Sequence, residues 1–404
     1  MPVRKLKISE TQIALFLLIT GVTLNYTFDG VNKLSSLYFP TFSRLAIIYR
    51  LLLELVCLST IIVFFNKKRL TWMTWFFYFL ICFFIGNLYL KYIIEINVSL
   101  VEQFIYFNKY FFIFFIFFAT YKVLEDRDAL QKVIENFKKV FLVNGYLAII
   151  GLLFNIKLFS TFPTGTPRFG YDGLILAQNE ASIFYLMALF VYYYDWKVNR
   201  KPLIQLLFAL FLCAITGMKA VYLGIILLVL FHFLSRMSTK KLIYLLIGIV
   251  VSTVIFILSL SKIKQVFGYY FYFFTNKGFL FTILGGRNTF IESRVLPYLE
   301  KLDVVNYTIG GQNISNPNDY IALVEMDFID VFLFFGLLNG VIFLFLYKKY
   351  IIGSIKNNLF YFMVIVFFLQ SFFSGHFFTS SVNPIFIIIV FAYINTYIND
   401  KAVY

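Results

Sequence analysis

Apolar runs of about 20 residues, separated by short polar breaks, fill most of this sequence. Read as helices they fall at roughly 11–30, 43–65, 70–91, 101–121, 139–159, 180–196, 202–217, 219–236, 242–260, 328–347, 358–376 and 382–398. Runs of this length cross a hydrocarbon layer of ~30 Å as helices. A membrane β-barrel would need shorter segments of alternating polarity, and the chain has none. The pattern predicts an all-α, polytopic integral membrane protein of about 12 transmembrane helices, with 1–404 as one transmembrane domain.

The polar breaks are unequal. Two have length: 160–179, and 261–327 before the tenth span. The first is punctuated by Pro163, Gly165, Pro167, Gly170 and Gly173. The second opens with aromatic residues from Phe267 to Phe274, which suit a membrane–water boundary. Further on, Thr289 and Glu292 have capping-box spacing, predicting a short helix that ends near Leu296, before Pro297. The polar run 310–318 then leads to the re-entry at Glu325, Asp327 and Asp330.

Composition agrees with the pattern. Hydrophobic residues make up 61% and charged residues 14%, where a soluble domain carries roughly 25% charge. The net charge of +15 does not point to nucleic acid, because the basic residues are scattered over inter-helix breaks and no soluble domain gathers them. Lys67, Lys68, Arg69, Lys122, Lys138, Lys197, Arg236, Lys240 and Lys348 all lie on one side if the N-terminus is inside. The positive-inside rule then puts both termini in the cytoplasm, with the two long loops outside. The N-terminal segment is basic, runs into a full-length apolar stretch and lacks a small-residue cleavage site, which predicts an uncleaved first span. Residues 122–138 mix both charges and read as a surface helix. Cys57, Cys82 and Cys213 lie inside apolar runs, and His232 and His376 are the two histidines, so neither a disulfide framework nor a metal cluster is expected.

Orientation does not account for Arg168, Lys219, Arg287 and Arg294. Lys219 sits where one span turns directly into the next, and an ammonium beside hydrocarbon needs a cavity, a partner or a route to the headgroups. Arginine forks fit phosphate oxygens, while lysine supplies a point charge. Arg287 and Arg294, seven apart, would share a helical face; Arg294 could instead pair with Glu292 or Asp303, and Arg168 with Asp172. His376, Glu325 and Asp327 are candidates for a general base, with structural roles open to each. Arg50 and Glu54, four apart, read as an intrahelical ion pair.

These features together resemble the Wzy-type O-antigen and capsular polysaccharide polymerases. The resemblance lies in the layout of spans and outer loops and in three phrases: Thr216-Gly217-Met218-Lys219-Ala220, Gly285-Gly286-Arg287-Asn288 and Ser374-Gly375-His376. The run Glu325-Met326-Asp327-Phe328-Ile329-Asp330 leading to Phe335-Gly336-Leu337-Leu338 is also similar to that family's re-entry into the membrane. Two features depart from it. An Arg followed eleven residues later by Gly is not kept, since Asn179, Tyr298 and Val305 follow Arg168, Arg287 and Arg294 at that spacing. The histidine motif of the related ligases is missing from the 261–327 loop.

The resemblance implies a GT-C-like glycosyltransferase in a bacterial cell membrane that works without a metal or other cofactor. Its partners would be an undecaprenyl-diphosphate-linked oligosaccharide and membrane lipid, with chain-length regulator and flippase proteins nearby and no nucleic acid. Arg168, Lys219, Arg287 and Arg294 would bind the diphosphate, and His376, Glu325 or Asp327 would activate the acceptor hydroxyl. The alternatives are a flippase for the same lipid-linked glycan and a ligase-like glycan transferase.

Overall fold

The computed structural model describes residues 9–39, 45–96, 98–163, 168–234, 268–278, 281, 284–311 and 324–396. The ninth predicted span, 242–260, lies outside them. Among the described residues the chain is helical, with one isolated antiparallel bridge between Ser160 and Tyr171. Helices α1 (Glu10–Tyr38), α2 (Leu45–Val63), α3 (Lys67–Tyr92), α4 (Leu100–Glu125) and α5 (Arg127–Phe154) are each long and apolar enough to cross a membrane. So is α12 (Asp327–Leu346), extended by a π-helical turn to Ile352. This makes six of membrane length among the described residues. Four apolar helices are shorter: α7 (Leu203–Ala214), α8 (Lys219–Leu234), α13 (Asn358–Ser374) and α14 (Pro384–Ile394).

Packing sorts the helices into an inner and an outer set. The helix α6 (Gln178–Lys197) is buried continuously from Glu180 to Asp195, and α14 is buried along nearly all its length. Phe137, Phe184 and Phe386 join α5, α6 and α14 through tilted and edge-on ring contacts. Helices α2 and α3 instead turn Leu51, Leu52, Leu55, Phe77 and Ile81 outward. A helix apolar on its exposed face belongs against lipid.

Several expected boundaries move. The break at 122–138 is not a surface helix: α4 runs to Glu125, Asp126 caps α5 by accepting the Asp128 and Ala129 amides at 3.0 and 3.1 Å, and α5 continues as one helix. Basic residues assigned to orientation also brace the bundle. Arg69 is wholly buried and donates to Glu10 at 2.7 Å and to the Phe118 carbonyl at 2.9 Å. Lys138 joins Glu135 on its own helix at 2.9 Å and Asp195 on α6. Arg50 pairs with Asp29 of α1 at 3.4 Å, while Glu54 accepts from Asn108 at 3.1 Å, so the expected ion pair between them is not formed.

From the described residues of the 261–327 loop come the short helical pieces α9 (Gly268–Lys277), α10 and α11 (Val304–Ile309). The helix α10 begins at Arg287–Phe290, passes through a π-helical turn at Ile291–Val295 and ends in Leu296–Leu299. Thr289 is not its cap; its hydroxyl donates to the Gly286 carbonyl at 2.7 Å and Gly286 is the capping residue. Pro297 does not stop the helix either, because the wider π turn before it accommodates a residue without an N–H. Val295, Tyr298, Val324 and Met326 bury a small core with Leu90 of α3 and Leu333 of α12, which seats the loop on the bundle.

Lys33 and Asp172 form a deeply buried ion pair, 2.7 Å apart with each side chain 1% exposed. Removing one member of such a pair leaves an uncompensated charge. Lys33→Met should therefore lower the stability of detergent-solubilised protein by about 3 kcal/mol, read as an earlier thermal melt, and a Lys33→Met/Asp172→Leu double variant should recover much of the loss.

Candidate functional site

The 160–179 loop is built around buried polar groups. Asn144 of α5 donates to the Asp172 carbonyl at 2.8 Å and accepts from the Leu174 amide at 2.9 Å and the Tyr26 hydroxyl at 3.1 Å. Lys33 holds the Asp172 carboxylate, the partner that spacing offered to Arg168. The Arg168 guanidinium lies over the Phe162 ring, 5.2 Å from the centroid.

The same loop is sewn to the turn between α7 and α8. The Tyr171 amide donates to the Ile215 carbonyl at 2.9 Å, and the Thr161 hydroxyl donates to the Thr216 carbonyl at 2.7 Å. Gly217 takes a left-handed φ of 70°, and a Cβ on it would come within 2.0 Å of the Phe169 carbonyl oxygen. That close approach brings Arg168 and Lys219, the first residue of α8, to one cavity.

The third cation arrives from the other loop. Arg287 starts α10, and its Nη1 donates to the carbonyls of Leu284 and Phe373, each at 3.1 Å. Its Nη2 donates to the Ser374 carbonyl at 3.5 Å and to Glu325 Oε2 at 2.6 Å. Arg168, Lys219, Arg287, Glu325 and His376 all line one cavity of about 840 Å³. Met218 just before α8, Leu223 and Leu227 on α8 and Val366 from α13 give the cavity an apolar wall. Arg294 is exposed and does not line it; the π turn and the bundle-facing Val295 leave it on the outer side of α10. Asp303, its suggested partner, accepts from Tyr89 and caps α11.

The three candidate acids and bases separate. Asp327 is wholly buried and does not line the cavity. It accepts the backbone amides of His376, Phe377 and Phe378 at 2.8, 2.6 and 3.2 Å, and the Ser371 hydroxyl at 3.1 Å. These contacts hold the turn that carries His376 and keep the Asp327 carboxylate out of the cavity. Asp330 acts similarly on Glu325, accepting the flanking amides of Val324 and Met326 at 2.8 and 3.2 Å.

Glu325 and His376 face each other, carboxylate to imidazole, at 3.8 Å. Both hold left-handed backbone, with φ of 58° and 65°. For a residue other than glycine this costs about 1 kcal/mol or more, and such strain collects at functional sites. Gly375 makes the pairing possible: a Cβ there would lie 2.7 Å from the Glu325 carbonyl.

No family model, curated protein or solved structure matches this chain. Its chemistry therefore has to be read from the cavity. Among the described residues no cluster of His, Cys, Asp and Glu could hold a metal ion. Three cations and one imidazole against a single carboxylate suit an anion, and the apolar wall suits an alkyl chain attached to it.

Sequence reading missed Glu180, Gln370 and Asn179. Glu180 is buried on α6 and accepts the Ser380 hydroxyl at 3.1 Å and the Ser381 amide at 3.0 Å, holding the far end of the loop that carries His376. Gln370 donates to the Ser182 hydroxyl at 2.6 Å, and Asn179 donates to Glu325 at 3.4 Å. A polar residue embedded in an apolar run was the available signal.

Burial pushes the Glu325 carboxyl up, but the nearby His376 imidazole and the Arg287 guanidinium outweigh it and hold it at about 2. Burial pushes the His376 imidazole down; the Glu325, Glu180 and Asp327 carboxylates reverse this and raise it above its ordinary 6.5. The depressed Glu325 adds stability that is complete above 4.5 and lost as pH falls toward 2. The raised His376 adds stability that is complete below 6.5 and lost as pH rises through its folded value. Thermal stability from this pair should thus be greatest between about pH 4.5 and 6.5. Melting of wild type and His376→Asn across pH should show the alkaline decline in the first and its absence in the second.

Proposed function

We propose that this protein is a polysaccharide polymerase of the cytoplasmic membrane: a multi-pass glycosyltransferase that moves a growing glycan from undecaprenyl diphosphate to a new lipid-linked repeat unit. The observation that carries the reading is the convergence of Arg168, Lys219 and Arg287, from three separate stretches of chain, on one cavity with an apolar wall. The sequence pattern supports about twelve spans with both termini in the cytoplasm and the 160–179 and 261–327 loops outside. The substrate would then already have been carried across the membrane when it arrives. Resemblance to the Wzy-type polymerases gives the same substrate class.

In this reading the acceptor hydroxyl oxygen attacks the anomeric carbon as the bond from that carbon to the donor's phosphate oxygen breaks. The bonding pair leaves with the diphosphate, and the acceptor proton passes to the Glu325 carboxylate. Arg168, Lys219 and Arg287 stabilise the charge growing on the departing diphosphate, an electrostatic contribution that typically changes rates by 10²–10³-fold per preorganised donor (on the order of). Asp327 and Asp330 act one step back, through the backbone amides they hold. The apolar wall between α8 and α13 is where the lipid chain would lie.

The test is chain growth in liposomes that contain purified protein and lipid-linked repeat units, with no nucleotide sugar added. Wild type should build a ladder of glycan lengths. Arg168→Ala, Lys219→Ala and Arg287→Ala should each slow growth by roughly a hundredfold and let single units accumulate. Full-length polymer from all three variants would refute the assignment. Movement of the lipid-linked units across the bilayer without any extension would favour a flippase.

A further inference from the structure

In the structure Arg287 is already engaged. Its guanidinium is held by the carbonyls of Leu284, Phe373 and Ser374, and among the described residues Glu325 is its one charged hydrogen-bond acceptor. The Arg287 Nε is buried and, among the described residues, has no acceptor. The carbonyl contacts fix the fork in place whether or not Glu325 is present. The Glu325 backbone is fixed as well, by Asp330 on its flanking amides and by the close passage of Gly375. Its side chain, held only by Arg287, Asn179 and His376 among the described residues, is 47% exposed and lines the cavity. Exchange of the carboxylate for another oxyanion therefore needs only a side-chain rotation.

We propose that Glu325 is a stand-in for the substrate's phosphate: it occupies Arg287 while the cavity is empty, and the arriving diphosphate displaces it. This rests on the function proposed above and extends it to the order of events. The displaced carboxylate loses the guanidinium and gains an anionic neighbour. Both changes strengthen it as a proton acceptor, by the same electrostatics that hold it low in the empty site. The base that takes the acceptor proton thus becomes effective only once a donor is bound, and an empty site holds a weak one. His376, 3.8 Å away on the opposite side, keeps the released carboxylate within the cavity, and Asn179 offers it a second partner. Arg168 and Lys219 supply the remaining positive charge that draws the diphosphate in.

Competition between two anions for one cation has a signature that a merely structural salt bridge lacks. Removing the carboxylate should tighten anion binding while slowing turnover, and reciprocal coupling of this kind is typically worth 5–150-fold (on the order of). The probes are inorganic diphosphate and a short polyprenyl diphosphate, titrated calorimetrically into purified full-length protein; the first reads the headgroup alone and the second adds the chain. Glu325→Gln keeps the size and one hydrogen-bonding oxygen, so it tests charge with little disturbance to the fold. It should bind both probes roughly tenfold more tightly than wild type, yet extend glycan at a rate reduced by a hundredfold or so. The gain in affinity should vanish in Glu325→Gln/Arg287→Ala, placing the competition on that arginine. Equal or weaker binding by Glu325→Gln, alongside Arg287-dependent binding by wild type, would overturn this inference and leave the proposed function standing. If neither protein binds either probe, the anion cavity itself is wrong and the inference falls with it.

Discussion

A charge removed from water inside a helical bundle must find a partner or face a cavity, and that constraint sorts the ionic residues of this protein. Lys33 and Asp172, Arg69 and Glu10, and Lys138 and Asp195 are internal pairs that hold helices and loops together. Asp327 satisfies the rule without a cation. It collects three consecutive backbone amides and so fixes the turn after α13 against the start of α12. Much of the site depends on that one carboxylate, since the turn it fixes presents His376, whose imidazole faces Glu325.

Arg168, Lys219 and Arg287 have a different property in common: all three line one cavity. They come from positions far apart in the chain, and two close backbone approaches assemble them. The Gly217 contact with Phe169 joins the first two, and the carbonyls at the end of α13 receive the third. Glu325 faces this group as the carboxylate on Arg287, as a proton acceptor would need to.

The fold was largely legible because hydrophobic run length reports helices directly. Most predicted spans agree with the observed helices within a few residues, as at 70–91 against Lys67–Tyr92 and 328–347 against Asp327–Leu346. The failures came where one charged residue carries two possible meanings. Residues 122–138 looked like a surface helix because sequence cannot show that Lys138 points inward to Asp195. Arg168, Lys219, Arg287, Glu325 and His376 were legible as candidates, since each is a polar group placed where hydrocarbon makes it costly. What sequence could not separate was Asp327 from Glu325, two residues apart, one sealed under backbone amides and the other open to the cavity. Arg294 was carried along by its helical spacing to Arg287, and the π turn spoils that spacing.

In the proposed function the three converging cations hold one diphosphate. An experimental structure of the protein in a lipid nanodisc, with a polyprenyl diphosphate added, tests this directly. Density for two phosphates within hydrogen-bonding reach of Arg168, Lys219 and Arg287, with the chain running down between α8 and α13, is the predicted result. Phosphate density elsewhere, with these three side chains unengaged, would contradict it.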